Sequence, residues 1–145
     1  MDEKNKIIIY TDDSGLTKID VKLEDETLWL TQAQMCALYQ TSKSNVSEHI
    51  KHIFDEGELQ ENSVIRKFRT TAADGKSYLT THYNLDMIIA LGYRVRSIIA
   101  TRFRQWATIR LKEYKQRTIS DAEHDYLNAI KRLGNINKKE SEHED

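Results

Sequence analysis

Two helix starts lie eleven residues apart in this chain, at Thr31 and Ser42, and they constrain its fold more than any other feature. At the first, the Thr31 hydroxyl can accept from a free amide of the opening turn, and Gln34 can answer it as the second half of a capping box. Leu30 just outside and Met35 just inside complete a hydrophobic staple. At the second, Ser42 is a good N-cap because its hydroxyl accepts from first-turn amides that have no carbonyl partner. The first helix must end near Tyr39, so only Gln40-Thr41 connects the two. The second carries Val46, Ile50, Ile53 and Phe54 at i, i+4, i+7 and i+8, one buried stripe, and Gly57 ends it. A connection that short forces an angled pair, of which the helix-turn-helix is one form.

Burying that stripe fixes what faces out: Lys43, Ser44, Asn45, Ser47, Glu48 and Lys51. In a DNA-binding pair, this end of the second helix enters the major groove. Ser44, Asn45, Ser47 and Lys51 are the expected groove contacts, with Asn45 able to pair bidentately with adenine. Lys43 is expected at a phosphate, helped by the amides of the helix N-terminus. Gln40 stands where such turns commonly have glycine, and Thr41 where they have an apolar residue. Glu48 repels phosphate unless it accepts from cytosine.

Strand patterns flank the pair. Residues 7–23 read as a hairpin, turning at Asp12-Asp13-Ser14-Gly15 and returning through Thr17, Ile19, Val21 and Leu23 with a period of two. Leu28-Trp29-Leu30 is a short third strand. Residues 64–83 form a second hairpin around Ala72-Ala73-Asp74-Gly75. It sits where a winged helix-turn-helix has its wing, and Arg66 and Arg69 on its first strand are expected at phosphates, with Lys67 and Lys76 nearby. Asn84 or Asp86 then opens a short helix that Gly92 ends. A long helix is expected over about 97–117, and Ser120 with Glu123 opens another that Gly134 closes. Arg94 and Arg96, between them, are further expected phosphate contacts. Ala122, Tyr126, Ile130 and Leu133 lack a partner within the chain, which points to a homodimer through the helices at 97–133. Asn135 to Asp145 reads as a disordered tail.

The charge distribution points the same way. The net charge is −1, but residues 1–42 hold 4 basic and 8 acidic side chains, 43–117 hold 14 and 8, and 118–145 hold 4 and 7. A basic middle between acidic ends suits an anionic partner. At 145 residues the chain can bury one core without covalent aid. Its single cysteine, Cys36, excludes an internal disulfide and a cysteine-rich zinc site, and suits the cytoplasm. No apolar run is long enough to span a bilayer, so no membrane association is expected. The five histidines lack metal-ligand spacing. No phosphate loop or nucleophile elbow occurs, so no catalytic residue, metal or cofactor is expected.

Several strings together resemble the RhuM family of bacterial proteins: Leu28-Trp29-Leu30-Thr31-Gln32-Ala33-Gln34-Met35, Gln40-Thr41-Ser42-Lys43, Ile53-Phe54-Asp55-Glu56-Gly57-Glu58-Leu59, Tyr83-Asn84-Leu85-Asp86, Gly92-Tyr93-Arg94-Val95 and Phe103-Arg104-Gln105-Trp106-Ala107. The resemblance covers about 7–117. The arginine-aromatic part is also similar to the N-terminal DNA-binding domains of phage antirepressors. The resemblance implies a DNA-binding domain carried on mobile or phage-like DNA, and no catalytic residue. Many relatives continue further, so a short member or part of a longer protein is expected.

The expected architecture is α+β: a winged helix-turn-helix-like domain at 1–117 with an N-terminal hairpin, a second hairpin as wing and long C-terminal helices, then a helix at 118–134 and a tail at 135–145. The expected function is duplex DNA binding in transcription or phage-like regulation, with the helix at 43–54 reading the DNA. The alternatives are a protein-interaction module, such as a toxin–antitoxin component or virulence adaptor, and a metal-dependent nuclease built from scattered acids.

Overall fold

The computed structural model describes residues 6–144, and the side chains of all of these except 118, 119 and 135–144. Strands β1 (Lys6–Thr11) and β2 (Lys18–Glu24) form the first hairpin, and β3 (Thr27–Thr31) follows. Helices α1 (Gln32–Tyr39), α2 (Lys43–Asp55) and the short α3 (Glu61–Val64) come next. Strands β4 (Ile65–Thr71) and β5 (Ser77–Asn84) form the second hairpin, followed by α4 (Leu85–Val95) and α5 (Ser97–Glu144). The chain divides into two compact units, Met1–Thr108 and Ile109–Asp145. The boundary expected at 117–118 therefore lies inside the second. Among the described residues no helix is long and apolar enough to cross a membrane.

The first unit is a mixed α+β body around one five-stranded antiparallel sheet, ordered β1-β2-β3-β5-β4. The two hairpins are therefore one sheet, joined where Leu30 pairs with Tyr83 and Thr31 with His82. Alternation gives the sheet two different faces. Ile19, Val21, Leu23, Leu28 and Leu30 point to the helical side and are buried against α1 and α4, with Met35, Leu38, Val46, Ile53, Met87, Ile88 and Leu91. The start of α5 covers β1 on that side. There Tyr10 meets Phe103 and Trp106 edge-on, with ring centres 5.1 and 5.0 Å away.

The helix ends follow the local signals. Thr31 and Gln34 make both halves of the capping box, Ser42 accepts from Asn45 N, and Asn84 caps α4. Past α2, Gly57 N donates to Phe54 O and Glu58 N to Ile53 O. Gly57 takes a positive φ of 74° there, which completes a Schellman stop. In the short connection between α1 and α2, Gln40 itself adopts the left-handed region, φ 52° and ψ 52°. A side chain there is strained, so Gln40→Gly is expected to stabilise the domain by up to about 1 kcal/mol, read as a higher urea midpoint.

Two boundaries differ from the sequence expectation. Helix α4 does not stop at Gly92 but runs to Val95. Gly92 lies inside it, buried, where a Cβ would meet the Tyr39 ring and come within 2.6 Å of Ala100 Cβ. The glycine is there for close approach, not as a stop. Helix α5 has no break near 118–120, because nothing between Arg117 and Ser120 opposes helix and a capping residue acts only where the preceding chain is already non-helical. Over the tail expected at 135–145, the backbone of α5 continues as helix through Glu144, while residue 145 lies outside the described residues.

The other face of the sheet carries a small aromatic cluster. Trp29 and His82 both flank Phe68, at 5.4 and 5.0 Å between ring centres. Lys22 Nζ lies 4.6 Å from the Phe68 ring centre and the Arg66 guanidinium 5.2 Å from that of Trp29. Burial, with Lys22 close by, holds the His82 pKa below its ordinary value. The folded state therefore prefers neutral His82, while the unfolded chain takes up a proton near pH 6.5. Stability from this group is fully present above that pH and declines as pH falls toward the lower folded value. Chemical denaturation at pH 7 and pH 5 is expected to show this loss, and His82→Gln to reduce it.

Candidate nucleic-acid interface

The expected reading helix is held from behind and open in front. Val46, Ile50 and Ile53 are buried against α1 and α4, while Lys43, Ser44, Ser47, Glu48 and Lys51 are exposed. Asn45 is half-buried, and its Nδ2 donates to Thr41 Oγ1 at 2.7 Å, so part of its hydrogen-bonding capacity stays in the turn. Gln32 of α1 leans on the same helix: its Nε2 donates to Ser47 Oγ and to the Lys43 carbonyl.

An open groove of about 420 Å³ follows the Ser47–Lys51 edge of α2. Gln32, Tyr83, Glu61, Ile50, Phe54 and Asp55 also line it. Burial and the neighbouring Glu61 carboxylate both push the Tyr83 phenol up, so it remains a neutral donor at physiological pH.

Tyr83 leads from this groove onto the second hairpin. It pairs with Ile65, Thr81 with Lys67, and Leu79 with Arg69, so all six point to the helical side. Beyond Thr80 the hairpin leaves the body of the domain, and residues 71–79 are exposed. Its tip closes by Ala72 N to Lys76 O and Gly75 N to Ala72 O, with Gly75 at φ 84°. Lys67 and Arg69 therefore stand on the same side as Ser47 and Lys51.

Strand parity separates the two arginines that sequence reasoning grouped. Arg66 points to the opposite face, where it ion-pairs with Asp25 over the Trp29 and Phe68 rings. Arg94 is also engaged: its guanidinium lies 2.6 Å from Glu56 and 3.0 Å from Glu58, joining α4 to the end of α2. Those contacts raise its own pKa and hold the Glu56 carboxyl below its usual range. Arg96, the C-cap of α4, is exposed. Lys67, named only as a neighbour of the expected contacts, shares the face of Arg69, as period-two alternation indicates.

Lys43 and Lys51 on α2 and Lys67 and Arg69 on the helical face of the sheet are thus all exposed, and Lys51 shares the groove with Asp55 and Glu61. Among the described residues no group of three His, Cys, Asp or Glu side chains is placed to hold a metal ion. Burial raises the Cys36 thiol pKa above its ordinary value, against the opposing pull of Lys43.

No curated protein and no solved structure matches this chain. The sequence model of the Virulence protein RhuM family matches residues 63–135. The match spans β4, β5, α4 and most of α5, and it begins after the helix pair. Since that is half of the chain, and the part that carries the projecting hairpin, the protein belongs to the Virulence protein RhuM family.

Proposed function

We propose that this protein binds duplex DNA in the manner of a winged helix-turn-helix, as a non-catalytic regulator associated with mobile or phage-like DNA. The N-terminal half of α2 enters the major groove, where Ser44 and Ser47 reach base edges and Asn45 uses the oxygen of its amide. Lys43, Lys51 and Arg96 neutralise phosphates, and the β4–β5 hairpin lies along the neighbouring backbone with Lys67 and Arg69. One observation carries this reading: the open edge of α2 and the cationic strand positions of a projecting hairpin share one side of the domain. The protein acts as a homodimer through the exposed apolar residues of α5, as a two-fold arrangement suits two half-sites.

Titration of the full chain into a pool of random duplexes across a salt series tests the reading. Affinity is expected to fall steeply with salt, by a log–log slope of about −0.9 for each neutralised phosphate. Binding that is absent at low salt, or indifferent to it, overturns the proposal. In that case Asp55 and Glu61 in the groove favour a basic protein partner instead.

A further inference from the structure

The second unit presents an apolar seam that nothing within it covers. Tyr126, Ile130 and Leu133 are 67, 44 and 62% exposed, and Ala122 and Ala129 are exposed beside them. Ala122, Tyr126, Ala129 and Leu133 follow one another at steps of four, three and four, the spacing of the a and d positions of a coiled coil. Tyr126 and Leu133 occupy a; Ala122 and Ala129 occupy d. The alanines let a second helix approach closely.

Charge selects the occupant and its direction. With Tyr126 at a, Asp125 and Arg132 both fall at position g, seven residues apart, and neither forms an ion pair with another described residue. In a parallel pair, g faces e of the partner, which would set Asp125 against Ile130 and leave it without a cation. In an antiparallel pair, g faces g, and layers of Tyr126 against Ala129 and of Ala122 against Leu133 set Asp125 of each copy beside Arg132 of the other. Flanking charges of this kind set the orientation of coiled-coil pairs.

The geometry points to an antiparallel pairing of two copies of this chain through residues 121–133 of α5, with Asp125 and Arg132 making two symmetric interchain ion pairs. The inference rests on the dimer proposed above but not on DNA binding. Sedimentation of the full chain across micromolar concentrations tests it. Wild type is expected to show a monomer–dimer equilibrium. Asp125→Arg and Arg132→Asp, each creating two like-charge contacts, are expected to weaken dimerisation about tenfold or more, and the double exchange to restore it to within about threefold. Circular dichroism checks that each variant keeps its helix content.

Direction is read separately by oxidation in a Cys36→Ala background. Ala122→Cys together with Leu133→Cys is expected to cross-link, and Ala122→Cys alone is not. A monomer at every concentration overturns both the dimer and this inference. A cross-link formed by Ala122→Cys alone, or a double exchange no better than the singles, overturns the antiparallel pairing and leaves the dimer standing.

Discussion

Gly92→Ala is expected to destabilise the first unit by about 2 kcal/mol, against the usual sign for that change. Inside a helix, alanine normally gains up to about 1 kcal/mol over glycine. At Gly92 the added methyl has nowhere to go: it meets the Tyr39 ring and lies 2.6 Å from Ala100 Cβ. Neither neighbour can retreat cheaply. Tyr39 is fully buried, and its hydroxyl donates to the Ile88 carbonyl at 2.5 Å; Ala100 is backbone-fixed in α5. Burial also lifts the Tyr39 phenol far above its ordinary pKa, so no ionisation relieves the site. Forcing a methyl into packing of this density costs roughly 1–3 kcal/mol and occasionally more. Urea unfolding is expected to show a lower midpoint with an unchanged slope. A midpoint equal to or above that of wild type would sink the close-approach account of this glycine.

Replacing Lys51, Lys67 and Arg69 together by alanine is expected to weaken duplex binding by about 10²–10³-fold at moderate salt. The log–log salt slope should flatten by close to one for each cation removed. Arg66→Ala is the matched control. It removes the same charge from the same strand, but from a guanidinium already paired with Asp25 on the far face. It is expected to leave the slope unchanged. Equal losses from Arg66→Ala and Arg69→Ala would show that net charge, and not the shared side of α2 and the hairpin, governs binding. Because all four side chains are exposed on the sheet or helix surface, thermal stability should move little in either variant.

What the sequence disclosed was local chemistry. Thr31, Ser42 and Asn84 cap helices because a hydroxyl or amide oxygen two or three residues from a free amide needs no tertiary help. The hairpin turn at Ala72–Gly75 is readable for the same reason. The two meanings of glycine are not separable locally. Gly57 allows a left-handed backbone and Gly92 allows contact, and the tertiary neighbours Tyr39, more than fifty residues away, and Ala100 tell them apart. The capping box at Ser120–Glu123 misleads for a related reason: it favours a helix start, yet has no effect inside a helix that already passes through it.

The candidate interface divides along the same line. The outward edge of α2 follows from Val46, Ile50 and Ile53 being buried, which periodicity reveals. Which cations belong with it depends on strand parity and on distant carboxylates. Asp25 engages Arg66, and Glu56 and Glu58 engage Arg94, across separations that no spacing rule covers.

The strand order carries a kinetic consequence. The ladder between β3 and β5 joins residues more than fifty apart in the chain, while the ladders on either side close over short turns. Each hairpin can zip in microseconds, but the central seam must wait until the helices between them have collapsed and brought its two edges together. The meeting of two preformed halves is therefore the expected rate-limiting step in refolding, and substitutions at Leu30 or Tyr83 should slow it more than equally destabilising ones at Ile19 or Phe68.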